Sequence, residues 1–167
     1  MSYNPKKSFM QLAIKEAIKG NKKKGKYPIG AVVVKGGKVI SSSFNDLPNS
    51  TDPTAHAEIL AIKKAARKLG TRYLNGCVLY STNEPCPMCT GSVVWANMIG
   101  IVYGASVKDL EKFWKKRRNV KTSRRNFVFI PAEKITAKCS PKIFVVKNFM
   151  RKECLKLFEL YDRDLRR

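Results

Sequence analysis

His56-Ala57-Glu58 and, further along, Pro85-Cys86-Pro87-Met88-Cys89 are the residues whose types and spacing could do chemistry. One imidazole and two thiolates are donors that zinc takes in a tetrahedral site. Three protein donors leave a fourth position for water, as in a catalytic rather than a structural zinc. His56 is the only histidine in the chain. Cys86 and Cys89, three apart at a helix start, share a face, and the positive end of a helix favours the thiolate forms a metal needs. The same residues admit two other chemistries. Cys-Pro-Met-Cys after a strand and at a helix start is also the local context of a thioredoxin-like redox pair, which leaves the upstream His-Ala-Glu unexplained. A closed structural zinc site would recruit Cys139 as fourth ligand and leave Glu58 without a role.

For these motifs to meet, the elements carrying them must end at one edge of a sheet. Met10, Ala13, Ile14, Ala17 and Ile18 recur on one helical face, with Ser8 and Gln11 as a capping box and Gly20 as the stop. Ile29 to Val34 and Lys38 to Ser42 are β-branched runs around Gly36-Gly37, a hairpin signal. Asn45 to Pro53 is a turn-rich loop, and Pro53 fits the first position of a helix running through His56 and Glu58 to Gly70. Cys77 to Ser81 predicts a buried strand, Pro85 opens a second helix with both cysteines, and Ile101 to Tyr103 predicts another strand. Val107 to Trp114 predicts a helix, Phe127 to Ile130 a strand, and Met150, Cys154, Leu157, Phe158, Tyr161 and Leu165 a helix assigned to 148–165. Alternation of this kind predicts an α/β fold, a three-layer α/β/α sandwich on a central mixed sheet of about five strands.

The chain has 167 residues and reads as one domain over 1–167, long enough to bury a core without disulfides. Its five cysteines are odd in number, and Cys77, Cys139 and Cys154 read as small core residues. No charged segment followed by an apolar run opens the chain, so a cytoplasmic location is expected. The uncharged stretch between Glu84 and Lys108 is diluted by Pro85, Pro87, Asn97 and glycines, and reads as buried helix and strand rather than a membrane span. A net charge of +22 would attract polyanions, nucleic acid first, although a lysine-rich solvated surface gives the same balance. The basic segment 108–125 sets nine Lys and Arg against Asp109 and Glu111, with Phe113 and Trp114 interleaved. It could hold phosphates and stack a base, or be a solvated helix and loop.

Asp52-Pro-Thr-Ala-His-Ala-Glu58 and Asn83-Glu-Pro-Cys-Pro-Met-Cys89 resemble the cytidine deaminase-like superfamily. Within it they are similar to the branch of bacterial guanine deaminases and tRNA adenosine deaminases, over roughly residues 8 to 105. The resemblance implies one zinc ion per chain on His56, Cys86 and Cys89, with Glu58 moving protons between the attacking water, a ring nitrogen and the departing amine. It implies Asn45, Ala57 and Trp95 as substrate contacts, Trp95 because guanine deaminases carry a Trp-Ala pair there. That pair, and the absence of a glycine-rich segment usual in tRNA adenosine deaminases, points to a free purine base, guanine giving xanthine. The charge points instead to adenosine in tRNA giving inosine. A zinc-stabilised RNA-binding module without catalysis is the third expectation, and a homodimer is expected by analogy alone.

Overall fold

The computed structural model describes residues 3–22, 27–46, 50–116 and 128–165, with the backbone alone described from 162 onward. Two helices and a hairpin come first: α1 (Lys7–Asn21), β1 (Gly30–Lys35), β2 (Lys38–Phe44) and α2 (Ala57–Leu69). Then follow β3 (Cys77–Asn83), α3 (Pro87–Trp95), β4 (Gly100–Ala105), α4 (Val107–Lys115), α5 (Ala132–Thr136), β5 (Phe144–Val146) and α6 (Arg151–Leu165).

The sheet order is β2-β1-β3-β4-β5. β1 runs antiparallel to β2 and β3, while β3, β4 and β5 are parallel, which makes the sheet mixed. Gly36 and Gly37 take positive φ values of 55° and 75°, the backbone that a two-residue hairpin turn requires. All seven residues of β3 are buried, as a central strand covered on both faces must be. Alternation sends Val78 and Tyr80 into a core with Phe9, Met10, Phe113 and Phe158, and Cys77 and Leu79 into a second core with Ala57, Ala61 and Val93. Thus α1, α4 and α6 cover one face and α2 and α3 the other, completing the α/β/α sandwich. α1 lies so close to β1 that a Cβ on Gly30 would stand 1.9 Å from the Ala13 carbonyl oxygen, which only glycine tolerates.

Several local expectations are corrected. α1 starts at Lys7 with Lys6 as N-cap and no side-chain cap, so Ser8 already lies inside the first turn and forms no capping box. It also passes Gly20, which is buried where a Cβ would meet the Phe44 ring. α2 begins at Ala57 rather than at Pro53, because His56 is still extended (φ −70°, ψ 151°). Pro87, not Pro85, is the first residue of α3, with Cys86 as N-cap. Of the strand expected over 127–130, residues 128–130 are not in the sheet. The fifth strand is β5, followed by Asn148 and Met150 at φ of 57° and 53°, which delay α6 to Arg151. Of the basic segment 108–125, residues 117–125 lie outside the described residues. No helix among the described residues is long and apolar enough to cross a membrane.

Candidate metal centre and active site

The site forms where α2 and α3 begin, at the C-terminal edge of β3. Parallel β3 and β4 deliver their following segments to the same edge, the place where open α/β sheets bind ligands. His56 and Cys86 are both N-cap residues in extended backbone, and neither side chain caps its own helix. Both are free to turn toward each other. The loop before His56 is pinned by Asp52, whose Oδ1 accepts from the Thr54 amide at 2.8 Å.

Cys86 Sγ lies 3.7 Å from His56 Nδ1, Cys89 Sγ lies 3.4 Å from it, and the two sulfurs are 3.6 Å apart. With zinc–sulfur bonds of about 2.3 Å and a zinc–nitrogen bond of about 2.0–2.1 Å, a tetrahedron needs roughly 3.8 Å between sulfurs and roughly 3.5 Å from sulfur to nitrogen. The three donors therefore stand at the spacing zinc requires. Among the described residues no fourth His, Cys, Asp or Glu joins them, and Cys139 donates instead to the Ile135 carbonyl oxygen. Hydrogen bonds from Cys89 first, and also from His56, draw the Cys86 thiol down to about 4, against the opposing effect of burial. Cys89 is pushed well up by Cys86 and by burial. A dication bound here would need both sulfurs as thiolates.

Glu58 is 2 % exposed and stands in the first turn of α2. The extended backbone at His56 breaks the helical angular step, so two residues of separation bring both side chains into one cavity. Ser81 Oγ donates to Glu58 Oε1 at 3.1 Å, whereas Oε2 is buried with no partner. Burial pushes the Glu58 carboxyl up from its ordinary range, and the opposing pull of His56 is smaller. A carboxyl whose pKa is raised by burial is suited to both accept and release a proton.

The cavity holds about 700 Å3, within the size of small-molecule sites. His56, Glu58 and Cys86 form its floor, and Asn45, Asn83, Tyr27, Trp114, Met88 and Phe129 its walls. Asn45 is 4 % exposed; its Nδ2 donates to the Tyr27 carbonyl oxygen at 3.5 Å, and its Oδ1 is buried without a partner. Ala57 is buried at the first position of α2. Trp95 does not line the cavity of its own chain and is 85 % exposed at the end of α3. Phe113 is core, its ring tilted against those of Tyr27 and Phe158, while Trp114 reaches the cavity.

Two contributors were not singled out by residue type. The buried Glu84 carboxylate accepts from the Val107 amide at 2.7 Å and the Ala132 amide at 2.8 Å, the first residues of α4 and α5. It thereby ties the C-terminal half to the zinc motif. Ser81 is the other. Glu84 lay within the quoted motif, and Ser81 in a strand, but only long-range pairing assigns their partners.

Comparison with known proteins agrees with this geometry. Residues 3–105 match the family model for the cytidine and deoxycytidylate deaminase zinc-binding region. A tRNA-specific adenosine deaminase from Aquifex aeolicus is 46 % identical over 60 % of this chain, and a guanine deaminase from Bacillus subtilis is 42 % identical over 61 %. The matches span 66 % and 65 % of those two relatives. A tRNA-specific adenosine deaminase from Buchnera aphidicola subsp. Schizaphis graminum is 34 % identical over 99 % of both chains. Among solved structures, a tRNA:A34 deaminase superposes with a TM-score of 0.66 at 29 % identity, over 91 % of this chain and 99 % of that one. The guanine deaminase of Bacillus subtilis gives 0.62 at 36 %, over 77 % and 83 %. A match over more than half its length, on the residues that assemble the zinc donors, makes this chain a member of the cytidine and deoxycytidylate deaminase zinc-binding family.

Proposed function

We propose that the chain hydrolyses the exocyclic amine of an adenosine carried in a tRNA loop, taking up water and releasing ammonia to leave inosine. The observation that carries this reading is α4. Its inner face puts Val107, Leu110 and Trp114 into the wall of the cavity, and its outer face exposes Lys108, Lys112 and Lys115, the last paired with Glu111, followed by the exposed C-cap Lys116. A free base offers no phosphate to a cationic helix, whereas a nucleic acid threaded to the same cavity does. The net charge of +22 and the full-length similarity to the Buchnera enzyme support the same choice.

His56, Cys86 and Cys89 would hold the zinc, which when bound lowers the pKa of a water in the open position. The remaining steps belong to the protein. Glu58, oriented by Ser81, accepts one proton from the attacking water and passes it to the ring nitrogen. It then takes the second from the hydroxyl added to the ring carbon and delivers it to the amine, which leaves as ammonia as the carbonyl forms. Asn45 offers an unpaired amide oxygen to the base and the ring of Trp114 gives the base an apolar surface, whereas the Ala57 side chain packs in the second core and does not line the cavity. A homodimer belongs to the same proposal, with the exposed Trp95 and Ile99 as apolar surface for a second copy.

Deamination of free guanine is the second reading, favoured by the similarity to the Bacillus subtilis guanine deaminase. Zinc-loaded protein is offered unmodified tRNA and guanine separately, with Glu58→Ala as control, and ammonia, inosine and xanthine are measured. Inosine in tRNA supports the proposal, and xanthine alone replaces it with the guanine reading. Zinc-loaded wild type that binds tRNA as tightly as Glu58→Ala and turns over nothing would leave a binding module.

A further inference from the structure

Asn83 is the last residue of β3, 3 % exposed, and it lines the cavity beside the zinc donors. Neither of its amide atoms, Oδ1 or Nδ2, has a hydrogen-bond partner, although both are buried. A buried carboxamide left this way on both sides is a large local cost, since each unmade hydrogen bond forfeits the solvation the group had in water. Strand alternation places Asn83 on the same face as Ser81, which reaches Glu58. One step further along that face lies the C-terminal edge of the parallel strands, where the cavity opens.

The functional groups already assigned do not use this amide. The zinc donors are sulfur and imidazole, Glu58 has Ser81, and Asn45 sits on the loop after β2. Asn83 and Asn45 are two buried amides on different elements, both directed at one cavity and both with unpaired oxygens. A carboxamide presents one acceptor and a pair of donors in a plane. That pattern matches the edge of a nucleobase, where ring nitrogens and exocyclic oxygens or amines alternate as donors and acceptors.

We propose that Asn83 is a substrate-binding residue that hydrogen-bonds a donor and an acceptor on the edge of the base and so discriminates between bases. The inference rests on reading this cavity as the base pocket, but on no particular choice of base. It also accounts for a buried carboxamide with no partner in the protein: its partner is the ligand.

The test compares wild type with Asn83→Leu, close in size but apolar, and Asn83→Asp, which keeps the acceptors and loses the donors. Zinc content, melting temperature and kcat/KM are measured on whichever of tRNA or guanine the wild type turns over, and on its analogue lacking one edge group: 7-deazaadenosine in the tRNA, or 2-aminopurine for guanine. Asn83→Leu is expected to keep its zinc and melt no lower than wild type. Its kcat/KM should fall about 10- to 100-fold, with the preference for substrate over analogue shrinking toward one. Asn83→Asp should show part of that loss. If Asn83→Leu keeps kcat/KM and preference within twofold, or melts several degrees lower, the amide serves the fold and the proposal is overturned while the deaminase reading stands. If the wild type turns over neither substrate, equilibrium binding of guanine and adenosine decides. Binding weakened by Asn83→Leu sustains the proposal without the substrate choice, and binding that is absent or unchanged overturns it.

Discussion

Ser81 on β3 and Glu58 on α2 are joined by a 3.1 Å hydrogen bond that holds one carboxylate oxygen and leaves the other, Oε2, buried and unpaired in the cavity. One oxygen is thus tethered and the other available. This is the arrangement a proton shuttle needs, because a carboxyl that rotates freely spends little time in line with its target.

Glu58→Gln is expected to retain zinc and fold while losing turnover by at least about 10²- to 10⁴-fold, the range that a positioned general acid/base contributes. Ammonia release and zinc analysis on the same preparation check it.

Ser81→Ala should leave the zinc in place and reduce kcat by roughly tenfold, on the scale of one lost hydrogen bond to a charged group. The decline should appear in kcat rather than in affinity for a bound base analogue, because Ser81 does not line the cavity.

Replacing a zinc donor acts on the fold as well as on chemistry, since His56 and Cys86 are the N-caps of two helices. Cys86→Ala is expected to bind less than a tenth of the wild-type zinc under dialysis. It should also melt lower, by a margin that grows with the free zinc concentration at which wild type is measured.

Glu84→Ala removes the acceptor of two amides at the starts of α4 and α5, the second of them buried. We expect a loss of about 2–4 kcal/mol in urea unfolding, and weaker protection of α4 in hydrogen exchange.

The ion pair between Arg151 and Asp109 fastens α6 to α4, with Arg151 Nε donating to Asp109 Oδ2 at 2.9 Å. Burial pushes the Asp109 carboxyl up, but hydrogen bonds from Arg151 and Ser106 outweigh it and leave it below its ordinary 3.8. A depressed carboxyl stabilises the fold above its unfolded value and loses that contribution as pH falls through the folded one. Arg151→Ala should therefore melt a few degrees below wild type at neutral pH, and the gap should close as pH is lowered below 3.8. Melting curves between pH 7 and pH 3 measure it.

The zinc donors, the hairpin, the two motif helices and the mixed, partly parallel character of the sheet are legible in the residues. Each rests on a short-range rule: donor chemistry, glycine at positive φ, a period of two or 3.6 residues. Residues 127–130 and Phe144–Val146 are both short apolar runs, and only pairing with β4 at Gly100–Val102 makes the second of them the fifth strand. Ser8 and Gln11 have the composition of a capping box, but the helix takes Lys6 as its N-cap, two residues earlier.

By itself the sequence determined the chemistry on offer: one imidazole, two thiolates and a carboxyl, in motifs that fix which helix starts carry them. Only the tertiary structure decided where they meet. Cys86 and His56 are 30 residues apart and Ser81 and Glu58 are 23, so their contacts depend on how β3 is inserted beside β1 and how α2 folds back over it. The same insertion turned Asn83 into the cavity and left Trp95 facing outward. A side chain's direction at the end of a helix or strand follows from what the whole element packs against, and not from its neighbours in the chain.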